Sequence, residues 1–278
     1  MKNRKIVHII TECLKTAAAA VFLIVYLYPV ILIFISSVKT KKEMAANPSG
    51  LPENITFDYF AKAFDKMNYI HSSMNSLMIV LIVVGILTVT ASMTAYAISR
   101  RGKRYNWIYF LFMAGMLVPF QMTMIPLYKF LMAFKLINKL AGVVCVYLAT
   151  LAPFSVFLLT GFAQSVPREL EEAAYIDGAG LYHTFFSIVF PLMKGSLATV
   201  AVLNTFTIWN DFLMPMLFLQ CKNKLTLTVT LANFQGMYFN DWSMIFAGVC
   251  MIVLPMLIIY LCAQKFIING ITAGAVKG

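Results

Sequence analysis

Long apolar stretches without a single charge, separated by short polar ones, make up most of this chain. Residues 16–38, 67–99, 105–128, 140–167 and 242–264 contain no Lys, Arg, Asp or Glu, and 195–221 is interrupted only by Asp211. A helix needs about 20 residues to cross about 30 Å of hydrocarbon. The pattern therefore predicts six transmembrane helices, at approximately 14–36, 73–98, 107–129, 139–163, 194–219 and 243–264. Buried segments of soluble proteins rarely run so far without a charge. The runs also lack the alternating pattern of an outer-membrane barrel, and in lipid a helix closes its own backbone hydrogen bonds. Gly85, Pro119, Pro153 and Pro215 fall inside the predicted spans and read as kinks covered by neighbouring helices, not as helix ends. The fold class is an all-α membrane protein.

Composition agrees. Hydrophobic residues make up 61% and charged residues 12% of the chain, where soluble domains carry about 25% charged residues; the mean hydropathy is +0.82. With six spans, the N-terminus, the 99–106 loop, the 164–193 loop and the C-terminus share one side. All the arginines, Arg4, Arg100, Arg101, Arg104 and Arg168, lie there, whereas lysine divides seven to ten in favour of the opposite side. Charges in short loops weigh most in orientation, so the arginine side is read as cytoplasmic, with both termini inside a bacterial inner membrane. The net charge of +11 is then a matter of topology and contact with anionic lipid headgroups, not of nucleic-acid binding.

The first apolar region is longer than the roughly 7–15 residues of a signal peptide and is followed by further spans, so it reads as a span. Cys13, Cys145, Cys221, Cys250 and Cys262 form no CxxC pair and give no disulfide framework. His8, His71 and His183 are isolated and read as loop or interface residues, not metal ligands.

Three polar regions carry the candidate chemistry. In 39–72, Asn47 to Pro52 reads as turns and Phe57–Phe64 as a short amphipathic helix that Thr56 caps; it serves structure or docks an extracellular partner. In 164–193, Ser165 reads as a helix N-cap and Pro167 as part of the first turn. Glu169, Glu171 and Glu172 place negative charge where the helix dipole favours it. Asp177-Gly178 breaks that helix, and an aromatic second piece, His183 to Phe190, precedes Pro191. By pattern alone this is either a stable cytoplasmic loop or a grip for a water-side partner. Third, Asn204, Thr207 and Asp211 fall at i, i+3 and i+7 on one helical face, with Trp209 and Asn210 beside them. A carboxylate in lipid is costly, so Asp211 needs a donor partner; helix packing and a translocation path both fit. Gln121, with Met122 and Met124 between Pro119 and Pro126, marks a second partly polar wall.

No phosphate-binding G-x-x-x-x-G-K-[ST], dinucleotide glycine fingerprint or H-E-x-x-H is present. No catalytic site, cofactor or metal is expected, and uphill transport would take its energy from a partner.

Against that background the chain closely resembles the inner-membrane permease subunits of bacterial ATP-binding-cassette importers, in particular the carbohydrate branch and its MalG-like members. The family's cytoplasmic loop runs E-A-A, three residues, G, nine residues, I-x-[LF]-P. Here Glu172-Ala173-Ala174, Gly178 and Ile188-Val189-Phe190-Pro191 keep every interval. Trp209-Asn210-Asp211-Phe212 to Pro215 is similar to the family's W-N-[ED]-F-x-x-P, and Gly270 to Gly278 to its terminal pattern. Phe190 stands where Leu is commoner, and Asp211 where Glu is frequent. The resemblance implies a type I importer permease, with residues 1–72 as an N-terminal helix and outward loop and 73–278 as the core domain. It implies ATPase coupling through Glu172, Ala173, Ala174, Asp177, Gly178, Ile188 and Pro191. A substrate path or permease interface would involve Gln121, Asn204, Trp209, Asn210 and Asp211. The implied partners are a second related permease, a cytoplasmic ATPase dimer, an extracytoplasmic sugar-binding protein, and a sugar or oligosaccharide. An ion-driven secondary carrier and a non-transporting assembly protein are the competing classes.

Overall fold

The computed structural model describes residues 2–101, 105–234 and 241–275, with residues 265–275 and most of 2–10 described by backbone alone. Arg104 and the final Val276-Lys277-Gly278 of the terminal pattern lie outside the described residues.

The chain is helical throughout: α1 (Lys2–Ser37), α2 (Lys41–Ala46), α3 (Asp58–Lys66), α4 (Tyr69–Arg100), α5 (Asn106–Met116), α6 (Phe120–Ala133), α7 (Leu140–Ala163) and α8 (Glu169–Ile176), followed by α9 (Leu181–Thr184), which runs through a π-helical turn (Phe185–Val189) into α10 (Phe190–Leu192), then α11 (Lys194–Asn210), α12 (Leu213–Phe218), α13 (Leu227–Ala232) and α14 (Trp242–Ala275). Among the described residues, four segments are long and apolar enough to cross a membrane: Thr11–Ser37, Tyr69–Arg100, Leu140–Ala163 and Trp242–Gln264. Two bent pairs bring the number to six if each is one span: Asn106–Met116 with Phe120–Ala133, bent by 96°, and Leu181–Leu192 with Lys194–Asn210, bent by 75°.

The third expected span is thus broken. Pro119 is more than a kink: it stands as the N-cap of α6 with extended backbone. Its ring removes an N–H and drives the preceding residue out of the helical region, so α5 stops at Met116. Pro153, by contrast, is accommodated inside a continuous α7. The fifth expected span also differs, because α11 ends at Asn210 and Asp211 is extended.

Two compact units emerge. One comprises residues 1–69 with Leu231–Leu254; the other comprises Ile70–Thr230 with Pro255 onward. In the first, the 39–72 connection is more ordered than its sequence predicts. Thr40 and Glu43 form a reciprocal capping box that starts α2. The Thr40 backbone N–H, donating to Glu43, holds that carboxyl below its ordinary value. Lys39 is fully buried, its Nζ donating to the carbonyls of Asn47 (2.9 Å) and Pro48 (3.0 Å). This matches the predicted turn and gives it a cationic centre. Thr56 does not occupy the N-cap of α3, which is Phe57; its hydroxyl accepts from Asp58 N–H at 3.3 Å instead.

In the second unit the core is a seam of alanine, aliphatic and aromatic residues: Ala91, Ala95 and Tyr96 of α4, Val156, Leu159 and Ala163 of α7, and Phe185, Val189, Met193, Leu197 and Val200. Small side chains let helix backbones approach where hydrophobicity gives no drive to associate. At the opposite end of α4, Asn75 Nδ2 donates to the carbonyls of Asn223 (3.2 Å) and Leu225 (3.0 Å), and Ser76 Oγ accepts from Leu227 N–H at 3.1 Å. Asn138, at a left-handed φ of 59°, donates its N–H to Phe218 O and accepts from Gln220 N–H.

Candidate functional site

The 164–193 segment is held as a shaped unit. Ser165 is not the N-cap of α8, because its hydroxyl turns back to Phe162 O at 2.7 Å. The helix starts one turn later, where the carbonyl of Arg168 accepts from the N–H groups of Glu171 (2.9 Å) and Glu172 (3.0 Å). It ends in a Schellman arrangement: Ala179 N–H reaches Ala174 O at 2.9 Å and Gly178 N–H reaches Tyr175 O at 3.0 Å. Gly178 has φ +82°, a conformation that glycine adopts without steric cost. An added side chain would meet open space there, so the backbone, and not crowding, demands glycine. The chain then re-enters α9, and the π-turn rotates Phe185 and Val189 into the core.

The three acidic residues of the first turn have separate roles. Glu171 faces inward. It accepts from the Tyr96 hydroxyl (2.8 Å) and from Arg100 Nε (2.7 Å), and pairs with Arg100 Nη2 at 2.5 Å. Arg100 also donates to Val166 O at 2.9 Å. The two side chains are 14% and 15% exposed. The two residues lie 71 positions apart, and neither the dipole charge of Glu171 nor the topology signal of Arg100 predicts their pairing. Glu172, Ala173 and Asp177 are exposed, with Ala174 buried beneath. Around them, Tyr175 and Ile176 are 80% and 83% exposed, and Leu181 and Tyr182 are exposed as well. The outer face is therefore an acidic and apolar surface carried on a packed inner face. Of the later expected residues, Ile188 is half-buried and Pro191 exposed.

The second candidate cluster does not form one helical face. Asn204 is 1% exposed and donates from Nδ2 to Ser155 Oγ at 2.9 Å, joining α11 to α7. Trp209 is buried, Asn210 is exposed and donates to Phe206 O, and Gln121 is exposed at the start of α6. Asp211 lies beyond the end of α11. One carboxylate oxygen accepts from the Tyr147 hydroxyl at 2.8 Å, and the other accepts from Leu213 N–H at 2.9 Å, which starts α12. Its carbonyl accepts from Thr228 Oγ1 at 2.7 Å. A short Asp bonding two residues ahead competes with helix continuation, which is why α11 stops there. The donor demanded by an intramembrane carboxylate is Tyr147, a residue hidden in an apolar run. Among the described residues no group of three or more His, Cys, Asp or Glu could hold a metal.

Membrane-length apolar helices and a packed loop are what the geometry shows, and comparison with known proteins supplies the family. Residues 87–268, which include both clusters, match the family of binding-protein-dependent transport system inner membrane components. The chain is 34% identical over 269 residues to the probable starch degradation products transport system permease protein AmyC of Thermoanaerobacterium thermosulfurigenes, covering 96% of this chain and 98% of that one. It is 34% identical over 265 residues to the melibiose/raffinose/stachyose import permease protein MelC of Bacillus subtilis (strain 168), with 95% and 96% covered. A chain from the crystal structure of a bacterial ABC transporter involved in import of the acidic polysaccharide alginate superposes with a TM-score of 0.80, covering 92% of this chain and 96% of that chain at 23% identity, a likeness of fold. The chain belongs to the binding-protein-dependent transport system inner membrane component family.

Two outcomes follow from the geometry. Glu171→Ala leaves Arg100 shielded from water without its carboxylate and should cost about 3 kcal/mol, whereas Glu172→Ala should leave stability within about 0.5 kcal/mol. Thermal unfolding of the purified protein in detergent checks both, and equal effects would remove the distinction. Asp211→Ala leaves the buried Tyr147 hydroxyl unpaired, at about 1–3 kcal/mol, and should couple non-additively with Tyr147→Phe. Intact stability with altered substrate preference would instead make Asp211 a substrate contact.

Proposed function

We propose that this chain is a permease subunit, of the MalG-like branch, in an ATP-driven importer of sugars or oligosaccharides. The observation that carries the coupling part of this reading is the 164–193 loop: an exposed Glu172-Ala173 surface beside Tyr175 and Ile176, on a helix whose other face is fixed to α4 by Glu171. The substrate class is supported by permeases named for starch degradation products and for melibiose, raffinose and stachyose, at 34% identity over almost the whole chain.

In this reading six spans, counting each bent pair as one, cross the inner membrane with both termini in the cytoplasm. Residues 1–72 form the N-terminal helix and outward loop, and 73–278 the transport core with its coupling loop. A second related permease forms the other half of the path, an extracytoplasmic binding protein delivers the sugar, and a cytoplasmic ATPase dimer receives the loop. Glu172, Ala173, Ala174, Asp177 and Gly178 shape the docking surface, while half-buried Ile188 and exposed Pro191 end the segment. The subunit hydrolyses nothing. Its partners bind its outward- and inward-facing conformations with different affinities and so shift between them. Because Glu171 and Phe185 join the loop to α4, displacement of α8 moves the end of a spanning helix rather than a free tether. Gln121 and Asn210 are the exposed members of the second cluster and the better candidates for the path or the permease interface; Asn204 and Asp211 tie α11 and its end to α7, and Trp209 is buried.

Gly178→Trp should abolish substrate-stimulated ATP hydrolysis and uptake while insertion survives, because a bulky L-residue resists φ +82°. Glu172→Ala should weaken docking by about 1.5–3 kcal/mol. Normal uptake by Gly178→Trp, or purification from mild detergent of a lone dimer that transports on an ion gradient, would sink the coupling assignment. Orientation is checked separately in a cysteine-free background. Arg101→Cys and Ser187→Cys should resist an impermeant thiol reagent in spheroplasts and Pro48→Cys should react, with the reverse pattern inverting the topology.

A further inference from the structure

A cavity of about 180 Å³ lies where α4 ends against α9, lined by Met93, Tyr96, Ala97, Arg100, Arg101, Leu181, Tyr182 and Phe185. Its two arginines are not equivalent. Arg100 is neutralised by Glu171, which it meets through both Nε and Nη2. The Arg101 guanidinium lies 5.2 Å over the Tyr105 ring and reaches its hydroxyl only at 3.5 Å, and among the described residues it forms no ion pair with a carboxylate. Among the described residues the cavity lining therefore keeps one positive charge without a carboxylate partner, and Met93, Ala97, Leu181 and Phe185 supply its apolar part.

We propose that this cavity holds one anionic phospholipid, with its phosphate against Arg101 and the upper part of an acyl chain along Met93, Ala97 and Phe185. Three features favour that occupant. The cavity stands at the end of α4, a helix long and apolar enough to cross a membrane, which brings it near headgroup depth when α4 spans. Basic pockets between spanning helices on one membrane face bind anionic headgroups, and a guanidinium offers phosphate two parallel donors. A free inorganic anion would gain nothing from the apolar walls, whereas an acyl chain does. Tyr182, exposed at the rim, supplies the amphipathic ring that suits the interface. The proposal requires that α4 crosses the bilayer; it does not require that the loop docks an ATPase.

The full chain, purified with its companion subunits in mild detergent, can be titrated with phosphatidylglycerol and with phosphatidylcholine of the same acyl chains and examined by native mass spectrometry. The wild type should retain one phosphatidylglycerol about tenfold better than phosphatidylcholine. Arg101→Gln should reduce phosphatidylglycerol to the phosphatidylcholine level. Ala97→Phe, at an exposed position that adds a ring to the cavity, should weaken retention of both lipids. Equal retention of the two lipids by the wild type, or unchanged retention by both variants, overturns the site. Displacement of the lipid by millimolar inorganic phosphate alone would assign the charge to a free anion and overturn the lipid.

Discussion

The contact between the Glu171 carboxylate and the Tyr96 hydroxyl and Arg100 guanidinium sits where α4 runs out of apolar sequence, and the rest of the loop takes its position from it. Arg100 reaches on to Val166 O, so one cation and one anion join the end of a spanning helix, the entry to the loop and the first turn of α8. With only about a seventh of each side chain exposed, neither charge is well solvated alone. Removing one partner is therefore much worse than never having had the pair. Packing reinforces the tie from the other side of the turn, where the Phe185 ring lies 5.4 Å from that of Tyr96. Electrostatics fixes the register of the loop, and aromatic burial fixes its depth.

A similar economy appears at several helix ends. An open backbone group is costly where water is scarce, and at these ends a short polar side chain or a glycine closes it, whereas the break at Pro119 has no side-chain cap. Asp211 accepts from Leu213 N–H and Tyr147, and Thr228 donates to its carbonyl. Asn138 accepts from Gln220 and Cys221 N–H groups, and Asn75 donates to the carbonyls of Asn223 and Leu225. Gly178 does it through its own backbone. These residues are polar because the fold bends there, which argues against reading every polar group in a span as part of a substrate route.

Much of this was legible beforehand. Charge-free runs give the spanning helices because length and apolarity are one-dimensional properties, and Asp177-Gly178 gives the turn because a left-handed residue has few alternatives. Three things were not legible. The breaks after Met116 and Asn210 depend on whether neighbours cover a proline or an aspartate, and Pro153 passes through a helix where Pro119 does not. The helical spacing of Asn204, Thr207 and Asp211 was real but ran past the helix end, so three residues on one face became a buried amide, an exposed hydroxyl and a hub. The pairs Glu171–Arg100 and Asp211–Tyr147 span 71 and 64 residues, a distance over which one sequence carries no pairing signal. The Thr40-x-x-Glu43 capping box has a recognisable sequence pattern, and it adds a helix ahead of the Asn47–Pro52 turns.

Neighbouring acids with opposite orientations follow from helix geometry alone. Successive residues on an α-helix point about 100° apart, so seating Glu171 against α4 turns Glu172 to the surface, and burying Ala174 leaves Ala173 outside. A partner gripping Glu172 and Ala173 therefore has no need to compete for the Glu171 tie, and the tie has no need to open for the grip to form. In the coupling role proposed above, docking and transmission would occupy two faces of one eight-residue helix. That separation would let a load applied from outside the membrane reach α4 without first dismantling the Glu171–Arg100 contact.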